Sequence, residues 1–463
     1  MASVHQQAAE LARYRERFEA LARERGLDFD PVIFELVPRS FMTEVAVYGL
    51  PVRMPHWSFG VRYIYHYVQH RMGHSRIFEV VFPGNPNRAY LESDNALAEN
   101  ALVTAHVLGH ADFSRNNALF VRMQREVGTR IVEQAAKRAH RIEDAIRLHG
   151  QERVEAVLDA ALALEQHIDI GRPLQRPPYP QWLERPEPRA AAPFKSRYTR
   201  LPGEAQEPET ETGPTRAPLP PRPEADLLWF IAHHAPDLED WARDIFLAVR
   251  EESYYFYPVF ACNIMNEGWA SYWHARLLRE ADFLPQALYL DAVKSHSDVV
   301  RPYAGEEAVA LAINPYHLGF AMWEHIVETQ GEEAAFRIRT EEDDFGFIRN
   351  YLSEALAREL KLFRYQRERA GSHDERIVVG EHDIDALRET LLAPRFNYGA
   401  PRIFVEATGQ DGSLTLRHDA AGDGLGLDLP RAEKVLEYIH VAWRRPLRLE
   451  TVDDKGQAHT IAL

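Results

Sequence analysis

The chain is predicted to be mainly α-helical, with a small β-hairpin in its N-terminal third and a C-terminal α+β subdomain of ββαββ order. Three observations carry this. Apolar residues recur at helical spacing over 5–170 and again over 223–370. "RIFEVVF" and "RAYLES" instead read as two strands around the turn-forming "PGNPN". Strand-like alternation returns near the C-terminus, around one amphipathic helix.

In order, residues 5–25 form an amphipathic helix ended by Gly26, an irregular stretch runs to about Trp57, and "GVRYIYHYVQHRMGH" is a second helix. After the hairpin, Ser93 or Asp94 is placed to cap a helix that starts at Asn95 and carries "ALAENALVTAHVLGHADF". Helices over 125–148 and 151–168 are separated at Gly150 and complete an N-terminal block, 1–170. Residues 171–222 are rich in proline and charge and poor in apolar side chains, so they read as a linker or insertion. A second helical block, 223–370, holds "DLEDWARDIFLAVREESYYFY" and "NIMNEGWASYWH", with helices to about Glu368. In 371–463, "RIFVEAT", "SLTLRHD", "LRLETVD" and "HTIAL" are strands and "PRAEKVLEYIHVAWRR" a helix.

At 463 residues the chain is too long for one core. A formal charge of −16 argues against a nucleic-acid backbone or an anionic membrane as main partner, because both select basic surfaces. One cysteine, Cys262, excludes an internal disulfide, and with no neighbouring partner it reads as a small buried residue. The N-terminus lacks the apolar core of a signal peptide and no apolar run reaches membrane-spanning length, so a cytoplasmic protein is expected.

The strongest polar cluster is "AHVLGHADF". His106 and His110 lie one helical turn apart, which suits two imidazoles reaching one divalent ion, most simply zinc. In an HExxH helix the residue after the first histidine is a glutamate that activates water; here it is Val107. Glu99 is two turns from His106 and suits an orienting role better than ligation. Glu267 in "NIMNEGWASYWH" is the better third ligand, as on the glutamate helix of gluzincin-type peptidases. His274 lies two turns beyond Glu267, as a group that supports a ligand, faces substrate or binds a second metal. The strand pair ahead of the His helix fits a zincin-like core, where an edge strand aligns an extended substrate.

With Val107 at the base position, Asp112, His274 and His296 are the candidates to accept a proton, and Tyr316 in "NPYHLG" the candidate to stabilise an oxyanion. His296 and Asp298 share "KSHSDVVRPY". The row His66, His70 and His74 reads as a solvated helix face, while for His233 and His234 two readings are equal: one of them faces the site, or both belong to a helix C-terminus that favours cations. A di-metal helical site is the third arrangement weighed: Glu143, Glu155, Asp159 and His167 supply donors, without the paired Glu-x-x-His signature.

"HWSFG" (His56 to Gly60), "AHVLGHADFSRNN", "HHAPDLEDWARDIFLAVREESYYFYP", "NIMNEGWASYWH", "NPYHLG" and "FIRNYL", in this order, make the chain resemble the SpoVR family, named for stage V sporulation protein R. The resemblance implies a cytosolic bacterial protein linked to spore-cortex formation, or to stress signalling in bacteria that encode it beside a PrkA-type serine kinase and a von Willebrand factor A-like protein. Two functional readings follow. One is a divalent-metal hydrolase-like protein acting on peptide or peptidoglycan-precursor amides. The other is a non-enzymatic regulatory or scaffold protein working with the kinase system.

Overall fold

The computed structural model describes residues 4–71, 79–172, 178–181, 217–300, 314–362, 365–369, 375–379 and 383–463. Most of the 171–222 segment and His74 lie outside them, as do the side chains of His66 and His70. The chain divides into two compact units, one of 1–166 with 240–400 and one of 167–239 with 401–463. No described helix is long and apolar enough to cross a membrane.

The first unit is built around two helices, the His helix Leu97–Asn116 and the Glu helix Asn263–Glu280. Both are buried on nearly every side, and the buried positions include polar residues such as His106, His110, Asp112, Asn266 and His274 as well as apolar ones. The His helix starts two residues later than the Asn95 predicted, and neither Ser93 nor Asp94 is its cap. The Glu99 carboxylate turns back to accept the Ala96 backbone N–H at 2.7 Å, the glutamate half of a capping box. Asn117 ends the helix and caps the next one, Ala118–Val127, by accepting from Leu119 N–H. The Glu helix follows the long helix Asp240–Ala261 after a break at Cys262, and its first turn is capped from a distance. Asp344 Oδ2 and Oδ1 accept the Ile264 and Met265 N–H groups, each at 2.9 Å, satisfying two of the four donors a helix start leaves open.

Backbone contact sets the helix spacing. A Cβ on Gly109 would lie 2.6 Å from Ala270 Cα, so the His and Glu helices touch through main chain. On its other side the Glu helix meets helix Pro315–Gln330, where a Cβ on Gly268 would lie 2.3 Å from the Gly319 carbonyl carbon. Around these contacts Trp269, Trp323, Phe336 and Phe347 pack edge to face or tilted, forming the aromatic core.

Beside the His helix lies a three-stranded sheet of order β1–β3–β2, with β1 Val32–Val37, β2 Glu79–Phe82 and β3 Asn87–Glu92. The predicted hairpin is present as antiparallel β2–β3, while β1, in the stretch read as irregular, joins β3 in parallel. This mixed sheet does not establish the zincin-like core that the strand pair suggested. Further along, helix Glu354–Glu359 is the last of its block before a hairpin of β4 Tyr365–Arg369 and β5 Glu375–Val379, where helix was predicted up to Glu368.

In the second unit, β6 Ile403–Thr408, β7 Leu414–His418, β8 Leu447–Val452 and β9 Ala458–Ala462 form one sheet in that order. Strands β7 and β8 are parallel and the helix Leu429–Trp443 crosses between them, which is the ββαββ order predicted. Residues 223–239, read as the start of the second helical block, fold here: Glu224 bridges Val405 and Phe230 stacks on Trp443.

Gly109→Ala forces backbone apart and is expected to destabilise the protein by about 1–3 kcal/mol, the usual range for overpacking. Gly60→Ala, with nothing within 4 Å of the new Cβ in an exposed helical turn, is expected to be neutral or mildly stabilising. Urea unfolding midpoints of the two variants check this, and equal shifts would contradict it.

Candidate metal centre

His106 and His110 stand one turn apart on the His helix and point at the Glu helix. Their Nε2 atoms lie 3.0 Å from each other, and Glu267 Oε2 lies 3.6 Å from the first and 3.5 Å from the second. A tetrahedral ion with bonds of 2.0–2.1 Å spaces its ligand atoms about 3.3 Å apart, so the triangle has the size of one coordination face. Among the described residues these three form a group whose ligand atoms all lie within 4.8 Å of one another.

The donor chemistry fits a cation. Asn266 Oδ1 only accepts, so at 2.9 Å it places the His110 proton on Nδ1 and leaves the Nε2 lone pair facing Glu267 and His106. Glu267 Oε2 is buried and has no hydrogen-bond partner among the described residues. An acceptor left so is costly unless a cation or donor meets it. Burial raises the Glu267 carboxyl, but the imidazoles of His110 and His106 outweigh it and hold the group well below the usual carboxylate range. For His110, burial favours the neutral ring, while Glu267 and Asn266 more than offset it and raise its pKa.

Of the residues picked out as proton acceptors or stabilisers, three are brought to this cluster. His274 Nδ1 lies 2.9 Å from His106 Nδ1, and His274 Nε2 lies 2.6 Å from His296 Nδ1. With His106 Nε2 turned to the triangle, its Nδ1–H donates to His274 and His274 Nε2–H donates to His296, one consistent set of tautomers. Burial, then neighbouring histidines, push His274 well below its ordinary value, and burial, Arg279 and His106 bring His296 down to about 4. Both rings are therefore neutral near pH 7. Tyr316 stacks over His106 with ring centroids 6.1 Å apart. The Glu267 charge, then burial and Glu79, raise its phenol well above the ordinary value, so it stays a hydrogen-bond donor.

Asp112 is not in the cluster. It is fully buried two residues beyond His110, on a different face of the helix, where Oδ2 accepts Arg339 Nη1 at 2.6 Å and Trp269 Nε1 at 2.8 Å, and Oδ1 accepts the Asp28 N–H at 2.8 Å. Its oxygens accept these three donors and hold three segments together, away from the triangle. Val107 packs against Ala89, Leu91 and Val103, which turns the position after the first histidine into the sheet. Asp298 is exposed at the end of helix Gln286–Val299, and His233 bonds to Trp229 O within the second unit. The di-metal donors do not converge: Glu143 pairs with His140, Glu155 accepts from Gln151, and Asp159 binds His56. Cys262 is buried near Asn117, with its thiol pushed up by burial.

Two participants were not picked out from the sequence. Glu79 on β2 places Oε1 3.8 Å from His106 Nε2. Burial raises its carboxyl, Glu267 adds to the rise, and His106 opposes it. A lone carboxylate in the otherwise apolar "IFEVVF" was the available signal. Asn266, which fixes His110, sits beside Glu267 in the quoted motif but carried no sequence-level role.

The profile of the family described as "SpoVR like protein" matches residues 5–399. The chain is also 29% identical over 484 aligned residues to the protein called "Uncharacterized protein YcgB" of Escherichia coli (strain K12), covering 96% of this chain and 92% of that one. No solved structure matches it. The family match spans the His helix, the Glu helix and every other residue of the cluster, and with it the chain belongs to the SpoVR-like family.

Proposed function

We propose that this protein binds one divalent metal ion, most simply zinc, through His106, His110 and Glu267, and uses it in hydrolase-like chemistry on an amide. The observation that carries this is the triangle of 3.0, 3.5 and 3.6 Å formed by two imidazole nitrogens and an unpartnered buried carboxylate oxygen. Such an ion polarises a carbonyl and lowers the pKa of water. The chain's own groups divide the remaining work. Asn266 and His274 hold the two imidazoles in the tautomers that ligation needs. Tyr316, kept protonated beside Glu267, is the group that would donate to a developing oxyanion. Glu79, 3.8 Å from His106 Nε2, takes the proton-accepting role that Val107 cannot, once the charge of the ion favours its carboxylate form. Peptide or peptidoglycan-precursor amides are the substrate class, by way of the family's sporulation name.

A second reading is favoured by Glu79 itself. At 3.8 Å from His106 Nε2 it can supply a fourth protein ligand, and a closed set of four is the pattern of structural metal sites. The protein would then act as a metal-stabilised regulatory or scaffold component, for which a PrkA-type kinase is the partner class.

Metal analysis of the purified protein tests the core of both readings. One equivalent is expected in the wild type and none in His106→Ala or Glu267→Ala, while a metal-free wild type after zinc reconstitution would overturn the proposal. Asn266→Ala is expected to weaken metal affinity by about 10–100-fold, the range for groups that orient ligands.

The pH dependence has a definite sign. In the metal-free protein the raised His110 contributes stability that is complete below about pH 6.5 and fades as pH rises through its folded value. The depressed Glu267 contributes stability present above about pH 4.5 and lost only in stronger acid. Metal needs neutral His110, so it competes with this ion pair at low pH. Zinc is therefore expected to raise the melting temperature more at pH 8 than at pH 6, and the reverse order would contradict this assignment.

A further inference from the structure

The "HWSFG" stretch takes no part in the metal cluster, yet it holds a second constellation of reactive side chains. His56 precedes helix Trp57–Arg71, and its Nδ1 lies 2.7 Å from Ser58 Oγ. Its Nε2 lies 3.0 Å from Asp159 Oδ1, on helix Gln151–Ala163. The same carboxylate oxygen accepts Trp57 Nε1–H at 3.0 Å. A carboxylate only accepts, so Asp159 fixes the His56 proton on Nε2 and leaves the Nδ1 lone pair facing the serine. The His56 side chain is 3% exposed and held in place, whereas Ser58 is half-buried and reachable.

A helix-capping role explains part of this geometry. His56 Nδ1 also faces the Ser58 backbone N–H, but at 3.3 Å. The hydroxyl is the closer partner by 0.6 Å, and a cap has no need of a half-buried carboxylate on the far nitrogen. The order nucleophile, base, orienting acid is the arrangement that activates a serine on unrelated folds.

We propose that Ser58, His56 and Asp159 form a nucleophilic triad that hydrolyses carboxylic esters carrying an apolar acyl chain. Ser58 Oγ bonds to the ester carbonyl carbon while His56 Nδ1 takes the hydroxyl proton. The C–O bond to the alcohol then breaks, and that proton passes to the departing alkoxide, leaving an acyl ester on Ser58. Water attacks this ester with His56 again taking its proton, the proton returns to Ser58 Oγ, and a carboxylic acid leaves. Ser58 sits in the first turn of its helix, whose positive end favours charge developing on the carbonyl oxygen. The acyl preference follows from Trp57, Val61 and Ile64, which are 56%, 60% and 64% exposed at i, i+4 and i+7 spacing beside Ser58.

An alkyl fluorophosphonate, which such a serine attacks with loss of fluoride, tests this on the full-length native protein, with the modified residue located by peptide mass spectrometry. An adduct on Ser58 is expected in the wild type and not in heat-denatured protein or Ser58→Ala. Asp159→Asn, which keeps a hydrogen-bond acceptor for His56, is expected to be labelled roughly tenfold or more slowly, as when the acid of a triad is neutralised. No adduct on Ser58 in the folded wild type, or equal labelling rates in wild type and Asp159→Asn, would overturn the triad.

Discussion

The candidate centre depends on how closely the His and Glu helices approach each other. Their backbones touch at Gly109 and Ala270, and no side chain stands between them there. His110 follows that contact by one residue, and Glu267 precedes it by three, almost one turn. An interhelical spacing set by larger residues would carry the carboxylate out of reach of the imidazoles. On its far side the Glu helix is pressed against Gly319, so it has little room to retreat. Two polar brackets then fix rotation and register. Asp112 ties Trp269 to Arg339, and Asp344 holds the first turn of the Glu helix. Because they are buried, removing one partner would leave a charge or a donor uncompensated.

The electrostatics of the centre follow from the same packing. Two carboxylates, Glu79 and Glu267, and three imidazoles, His106, His110 and His274, are enclosed together, where lone charges are expensive. The chain balances them unevenly. Glu267 stays ionised against His106 and His110, Glu79 is pushed toward its neutral form, and His274 is held neutral. Groups of one type with pKa values driven apart recur in functional sites and in structural ion-pair networks alike.

Local periodicity made part of this readable. His106 and His110 share a helix face at a fixed spacing, and Glu267 lies in a motif whose aromatic company implied burial, so the triangle's members were legible. The C-terminal ββαββ unit was legible too, because its strands alternate as half-buried strands must. Long-range pairing was not. Strand β1 reads as irregular until β3 lies beside it, and Asp112 looks like a free carboxylate until Arg339, far along the chain, reaches it. Glu79 reaches His106 only because β2 and the His helix pack together, which no local pattern records. The glycines in "VLGHA", "NEGWA" and "YHLGF" were visible, but their role as contact points between backbones is a property of the assembled helices.

In the proposed centre, helix packing presents two imidazoles and a carboxylate to one ion. X-ray absorption spectroscopy of the zinc-loaded protein tests it most directly. A shell of nitrogen and oxygen at about 2.0–2.1 Å with the multiple-scattering signature of two histidines is expected. A shell without imidazole scattering, or one containing sulfur at about 2.3 Å, would contradict it.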